Sequence, residues 1–247
     1  MCDYASIGIK RQKKAGALKS LVPRIFPSHF LRQLRFELRM LSIRVRRNSI
    51  HRRFRNASDL LVNIGCGSQG RIGWVNVDCF NAGPVNCVFD VRRALPFPSN
   101  SVRAIFTEHF FEHIDYFEEV PIFLKECHRV LQQDGVIRII VPDAEQYLIA
   151  YVKRDWERLR KLRPLDCDLT DAWFGFRYNT PMELINMVFR QFEEHKFAYD
   201  YETLEFLLSR AGFSSVTRQS FNKSTSSQVC LDNEKRASES LYVEAIK

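Results

Sequence analysis

The chain has 247 residues and a mass of 29.0 kDa, room for one domain of ordinary size with extensions but not for two large ones. Its 45% apolar, 13% aromatic and 27% charged residues match a folding globular protein and exclude a wholly disordered or collagen-like chain. The net charge of +8 is unevenly placed: before Asp59 stand fifteen Lys or Arg against two acids, and from Asp59 onward twenty-two against twenty-seven.

No apolar run approaches the roughly 18 residues of a membrane-spanning helix. The first twenty residues lack the apolar stretch of a signal peptide, so a cytoplasmic address is expected. Seven cysteines without a Cys-x-x-Cys pair point to reduced, mostly buried thiols rather than a disulfide framework or a cysteine-built zinc site.

Residues 1–27 are polar, basic and broken by Pro23 and Pro27, and read as a flexible arm. Ser28 can cap the helix that follows. In it Leu31, Leu34, Leu38, Leu41 and Val45 recur at three- and four-residue steps, while Arg32, Arg35, Arg39, Arg46 and Arg47 fall largely off that stripe. Residues 1–58 thus form a basic N-terminal helical extension, for which three uses are open. The stripe can pack on the main domain, or it can lie on anionic membrane through 28–55, each basic residue near the surface adding on the order of 1 kcal/mol. Nucleic-acid binding is the third and the least expected, because no stacking platform or nucleic-acid motif accompanies the charges.

From residue 59 to 247 short apolar runs alternate with helical segments, the pattern of a parallel sheet covered by helices. Strands are expected near 60–64, 74–78, 86–89, 102–107, 136–141, 215–221 and 240–246, and helices near 116–132, 144–162, 182–194 and 201–211. The aromatic-rich stretch 144–197 is too long for a plain crossover and reads as an inserted helical lid.

The run Leu60-Leu61-Val62-Asn63-Ile64-Gly65-Cys66-Gly67 is a buried strand ending at two glycines, which let the backbone bend sharply beside a ligand at the carboxyl edge of a parallel sheet. Gly65, Gly67 and Gly70 satisfy G-x-G-x-x-G, so a nicotinamide cofactor has to be considered. That site also needs a helix starting at the glycines and an acid about 20 residues on. Here residues 71–78 run straight into a second strand, and Asp78 follows Gly65 too soon.

Four segments in order, GCGSQGRIGWVNVD (65–78), DVRRALPFPSNSVRAIFTEHFFEHI (90–114), FLKECHRVLQQDGVIRIIVPD (123–143) and YETLEFLLSRAGF (201–213), resemble the successive motifs of class I S-adenosylmethionine-dependent methyltransferases, the type 11 branch in particular. The resemblance covers about 59–247. It implies an α/β, Rossmann-like, doubly wound seven-stranded sheet with the last strand antiparallel, and S-adenosylmethionine as cofactor. It further implies that Gly65, Cys66 and Gly67 wrap the methionine part, that Asp78 accepts from the ribose hydroxyls, and that Asp90 meets the adenine amino group beside Val91, above the hydrophobic turn Leu95-Pro96-Phe97. Asn63 stands where the family often has an acid and keeps hydrogen-bonding capacity without the charge. Arg103 also departs from the pattern, standing where an acid commonly precedes the fourth strand.

Glu108-His109-Phe110-Phe111-Glu112-His113 follows the fourth strand. It contains H-x-x-E-H, the pattern of one class of zinc peptidase, but that site needs a third protein ligand and a long helix, so no metal is expected. In the resembling family the segment lines the pocket near the sulfonium. Glu108 is accordingly a cofactor candidate, and His109 and His113 are candidates for contact with cofactor or acceptor, against the alternative of histidines hydrogen-bonded to their neighbours. His195 closes the inserted segment; an unperturbed imidazole there would accept a proton from an acceptor hydroxyl, unless it is a surface or helix-capping residue.

The expected function is methyl transfer to a small-molecule or glycan acceptor, such as a sugar hydroxyl of a surface polysaccharide precursor, at the cytoplasmic side of the inner membrane. A catalytically inactive partner subunit and an RNA-directed enzyme using the basic arm are the alternatives.

Overall fold

The computed structural model describes residues 27–247, so most of the expected flexible arm lies outside the described residues. Seven strands form one sheet: β1 Leu60–Ile64, β2 Val75–Asp78, β3 Cys87–Val88, β4 Val102–Glu108, β5 Leu131–Pro142, β6 Ser215–Gln219 and β7 Ser240–Ile246. Their order is β3-β2-β1-β4-β5-β7-β6. Pairings from β3 through β5 are parallel, and β7 runs antiparallel to both β5 and β6. The expected sheet, with its reversed last strand, is therefore present.

Helices α1 Ser28–Val45 and α2 Arg47–Phe54 precede the sheet, α3 Val120–Val130 joins β4 to β5, and α7 Tyr201–Arg210 leads into β6. Between β5 and α7 lie α4 Ala144–Val152, α5 Trp156–Leu162 and α6 Pro181–Arg190. The single helix expected over 144–162 is broken because Arg154 takes a left-handed φ of 54° and the Asp155 side chain caps a new helix by accepting from the Arg158 N–H at 2.9 Å. Ser28 is the first helical residue and Pro27 precedes it, which corrects the expectation that Ser28 caps. Of the described cysteines, Cys66, Cys87 and Cys127 are buried, Cys79 and Cys230 half-buried and Cys167 exposed, fewer buried than expected.

The two faces of the sheet are covered differently. Val62, Ile64, Ile105, Ile137, Ile139 and Val243 pack with Phe54 of α2, Leu124 and Cys127 of α3 and Leu204 and Leu208 of α7. On the other face Trp74, Phe106, Ile140 and Tyr242 pack with Val229 from the connector between β6 and β7. Burial on both sides explains why β1, β4, β5 and β7 read as apolar runs and not as alternating patterns.

Arg138 faces the connector and is fully buried. Its guanidinium donates to Asp232, to Glu244 on β7 at 2.6 Å, and to the carbonyls of Ser220 and Lys223, pinning the connector to the sheet.

The 144–197 segment has a small core of its own, in which Tyr147, Leu159, Leu162, Tyr178, Leu184 and Val188 are buried together. Buried Arg163 donates to Asp171 within the segment at 2.7 Å and ties it to the sheet by donating to Glu239, beside the start of β7, at 3.3 Å.

Of the uses left open for the stripe of helix α1, packing on the domain is not the one the structure shows for most of it. Met40 and Ile43 are buried, whereas Leu34, Leu38, Leu41 and Val45 are 45%, 56%, 54% and 77% exposed. The periodic stripe faces away from the domain. The inner face works through charge and π contacts: Arg39 lies over Phe80 at 4.6 Å, and Arg92 lies over Phe36 at 5.1 Å.

Candidate active site

The carboxyl ends of β1, β2 and β4 converge on the turn at Gly65–Gly67. Gly65 and Gly67 both have left-handed backbones, φ 68° and 49°. The turn hangs on β2: the Gly65 and Cys66 N–H groups donate to the Val77 carbonyl, and the Gly67 N–H donates to Asp78 Oδ2 at 2.9 Å. Asp78 Oδ1 accepts from the Phe80 N–H at 2.9 Å. Asp78, expected to accept from the ribose hydroxyls, thus also braces the glycine turn. Phe110 sits over Gly65 so closely that a Cβ there would lie 2.5 Å from the Phe110 Cβ.

Between β1 and β2 no helix forms among residues 65–74. Asparagines hold the connection in its place. The Asn63 amide donates to the Gln69 carbonyl at 3.0 Å and to Asn76 Oδ1 at 3.2 Å. Asn76 in turn accepts from the Arg71 N–H and donates to its carbonyl, and Asn86 closes the ladder onto Asn76 and Trp74. The Asn63 amide nitrogen is therefore spent on the loop, and Asn76 and Asn86 are residues that motif reading missed; an asparagine in a buried strand was the available signal.

Asp90 lies at the edge beyond β3 and is buried. Its carboxylate accepts from Arg44 of α1 at 2.8 Å and from Arg92 at 2.9 and 3.1 Å, and Arg92 also reaches Glu37 of α1 at 3.1 Å. Val91, Leu95 and Phe97, expected around the adenine, are buried in the main core. Burial alone would raise the Asp90 carboxyl, but Arg92 and Arg44 outweigh it and hold it below the ordinary 3.8. The sign follows: a depressed carboxyl contributes stability that is complete above pH 3.8 and drains away as pH falls through its lower folded value. Amide exchange in α1, corrected for intrinsic rate, is expected to accelerate on acidification through this window, and Arg44→Ala is expected to show the faster exchange already at neutral pH.

The histidines are brought together as the sequence alone could not show. Phe111–His113 form a single 3-10 turn after β4, not the long helix of a peptidase. His195 arrives from the far end of the 144–197 segment, through Gln191, Phe192 and Glu193, all with left-handed φ. Its ring lies edge-on to His113 with centroids 4.7 Å apart. Its Nδ1 hydrogen-bonds the Val188 carbonyl at 2.7 Å, and its Nε2 stands 3.9 Å from Glu112 Oε1. His109, itself at φ 50°, bonds Ser240 Oγ at 2.9 Å and places Nδ1 3.3 Å from Glu112 Oε1.

Burial raises the Glu112 carboxyl to about 8 and lowers His113 to about 4 and His195 to about 2. The unperturbed imidazole expected at His195 is thus corrected, whereas the helix-capping alternative describes it: the ring, with its side chain 6% exposed, hydrogen-bonds the Val188 carbonyl in the last turn of α6. Glu108, at the end of β4, accepts from the Asn233 N–H at 2.8 Å, and burial raises its carboxyl.

A family model described as a methyltransferase domain matches residues 68–139, from just past the glycine turn through most of β5. The chain carries a methyltransferase domain. The match falls within the stretch whose motifs resemble the class I S-adenosylmethionine-dependent methyltransferases of the type 11 branch.

No curated protein matches the chain in sequence. Among solved structures it is similar to an S-adenosylmethionine-dependent methyltransferase of Archaeoglobus fulgidus, with 18% identity, 89% of this chain and 100% of that one covered and a TM-score of 0.43. A methyltransferase of Mesorhizobium loti gives 15% identity, 77% and 92% coverage and 0.43. The 1,6-didemethyltoxoflavin-N1-methyltransferase of Burkholderia thailandensis, bound to its substrate and S-adenosylhomocysteine, gives 13%, 97% and 93%, and 0.42.

The turn fits S-adenosylmethionine in one testable respect. Two left-handed glycines, one residue apart at the carboxyl edge of the sheet, leave those two positions without side chains where an amino-acid-bearing nucleoside would lie.

Proposed function

We propose that this methyltransferase transfers the methyl group of S-adenosylmethionine to a hydroxyl of a glycan acceptor, a sugar of a surface polysaccharide precursor held at a membrane face. The observation that carries the cofactor half is the braced glycine turn, with the Asp78 carboxylate one strand over. Gly65, Cys66 and Gly67 would hold the methionine part and Asp78 the ribose.

The cofactor supplies an activated methyl for in-line displacement. The protein's share is to align the acceptor oxygen with that methyl in a dry pocket and to receive the hydroxyl proton. Titration calorimetry with S-adenosylmethionine, followed by transfer of labelled methyl to isolated lipid-linked and polysaccharide fractions, tests both halves. Binding without transfer to any glycan fraction sinks the acceptor assignment and leaves the cofactor assignment standing.

The outward stripe of α1 supports the membrane part. Leu34, Leu38, Leu41 and Val45 lie exposed on a helix whose flanks carry Arg32, Arg35 and Arg46, also exposed, the combination that seats a helix in an anionic lipid interface. Among the described residues no helix is long and apolar enough to cross a membrane.

Removing the whole helix would also strip Arg44 from Asp90, so substitution is the cleaner test. Leu38→Glu with Leu41→Glu is expected to weaken binding to phosphatidylglycerol vesicles at least about 10-fold, since burying each leucine is worth on the order of 1.5 kcal/mol or more. Cofactor affinity should not change. Equal vesicle binding by the double variant discards the membrane part.

A further inference from the structure

We propose that Glu112, His113 and His195 form a binding site for one divalent metal ion of the zinc class, clamping the end of the 144–197 segment to the loop after β4. The proposal stands apart from the identity of the methyl acceptor.

One ligand atom from each of the three residues lies within 4.8 Å of the other two. Around a tetrahedral ion with bonds of about 2.1 Å the ligand atoms stand ~3.4 Å apart, so a bound ion needs only a modest contraction of the cluster. Two imidazoles and one carboxylate are the donor set of hydrolytic zinc sites, which leave a fourth position open.

Each donor is prepared for this in a way that plain packing does not require. His195 bonds the Val188 carbonyl through Nδ1, which puts the ring proton there and leaves the Nε2 lone pair turned toward Glu112. The His113 ring lies edge-on to that of His195, with centroids 4.7 Å apart. Backbone carbonyls that fix the tautomer of a ligating histidine are the usual second partners of such rings.

Glu112 is the independent observation. The residue is 1% exposed, and neither carboxylate oxygen has a hydrogen-bond partner. A buried carboxyl left in that condition is costly unless it is neutral or bound to a cation.

Space for the fourth position is present. A cavity of about 10 Å³ is bounded by Glu112, Pro142, Val188, His195, Phe197 and Tyr199, room for about one water. The Tyr199 hydroxyl is buried and likewise without a partner. A water on the ion would serve it.

This site differs from the H-x-x-E-H reading of the sequence. It uses His113 and Glu112 but takes His195 as third ligand, while His109 turns its Nε2 to Ser240.

The test uses the full chain, loaded with zinc chloride and desalted. Elemental analysis is expected to find about one zinc per chain, and cobalt loading is expected to give visible ligand-field bands of a four- or five-coordinate ion. Zinc affinity should fall about 100-fold or more in His195→Ala and in Glu112→Gln, with the far-ultraviolet dichroism unchanged. If a variant fails to fold, the wild-type zinc content and cobalt spectrum decide. A zinc content below about 0.1 per chain after loading, an octahedral cobalt spectrum, or full zinc retention by the folded His113→Ala, His195→Ala double variant overturns the site.

Discussion

Gly65→Ala is expected to lower the affinity for S-adenosylmethionine by about 100-fold, equivalent to ~2.7 kcal/mol, as measured by titration calorimetry. Two effects add at this position. A left-handed backbone costs a side-chain-bearing residue about 1–2 kcal/mol, here at φ 68°. The new Cβ would also fall 2.5 Å from the Phe110 Cβ, so either the ring or the turn must move, and the turn is tied to Val77 and Asp78. Gly73→Ala separates the two effects, because Gly73 has φ 80° with nothing within 4 Å of the added Cβ. It is expected to lose stability and keep its cofactor affinity. Equal binding by wild type and Gly65→Ala would remove the glycine turn from the cofactor site.

Arg138→Leu is expected to destabilise the fold by about 3–5 kcal/mol, because removing one partner of a buried ionic group strands the others. Both Asp232 and Glu244 are buried at the guanidinium, and neither gains solvent when it is removed. For a chain of this length that loss corresponds to a fall in Tm of roughly 10 °C, measurable by scanning calorimetry. The triple variant that also carries Asp232→Asn and Glu244→Gln should recover part of the loss, since uncharged amides are cheaper to bury than unpaired carboxylates. A single variant as stable as the wild type would show that the connector is held by its apolar contacts alone, through Val229 and Leu231.

Strand positions were legible in the chain because a sheet covered on both faces needs continuous apolar segments. β1 and β7 fall where their runs predict, and β2, β4 and β6 within two residues at their ends. Pro121 in the first turn of α3 and Arg154 with Asp155 after α4 moved helix boundaries that apolar spacing alone could not locate. Helix α1 shows the limit of that reading. Its leucine stripe is the stronger periodic signal, yet Met40 and Ile43 are the residues buried. Periodicity identifies an apolar face without saying whether the protein's own core is what covers it.

The order of the motifs and the bend at Gly65–Gly67 were determined by local sequence alone, since a glycine pair after an apolar strand restricts the backbone before any tertiary contact forms. The meeting of Glu112 and His113 with His195, the capture of Asp90 by Arg44, and the burial of Arg138 between Asp232 and Glu244 were decided only by the tertiary structure. Each joins residues far apart in the chain, so its geometry depends on how whole elements pack. Burial then sets the charge states that unassembled side chains would not have.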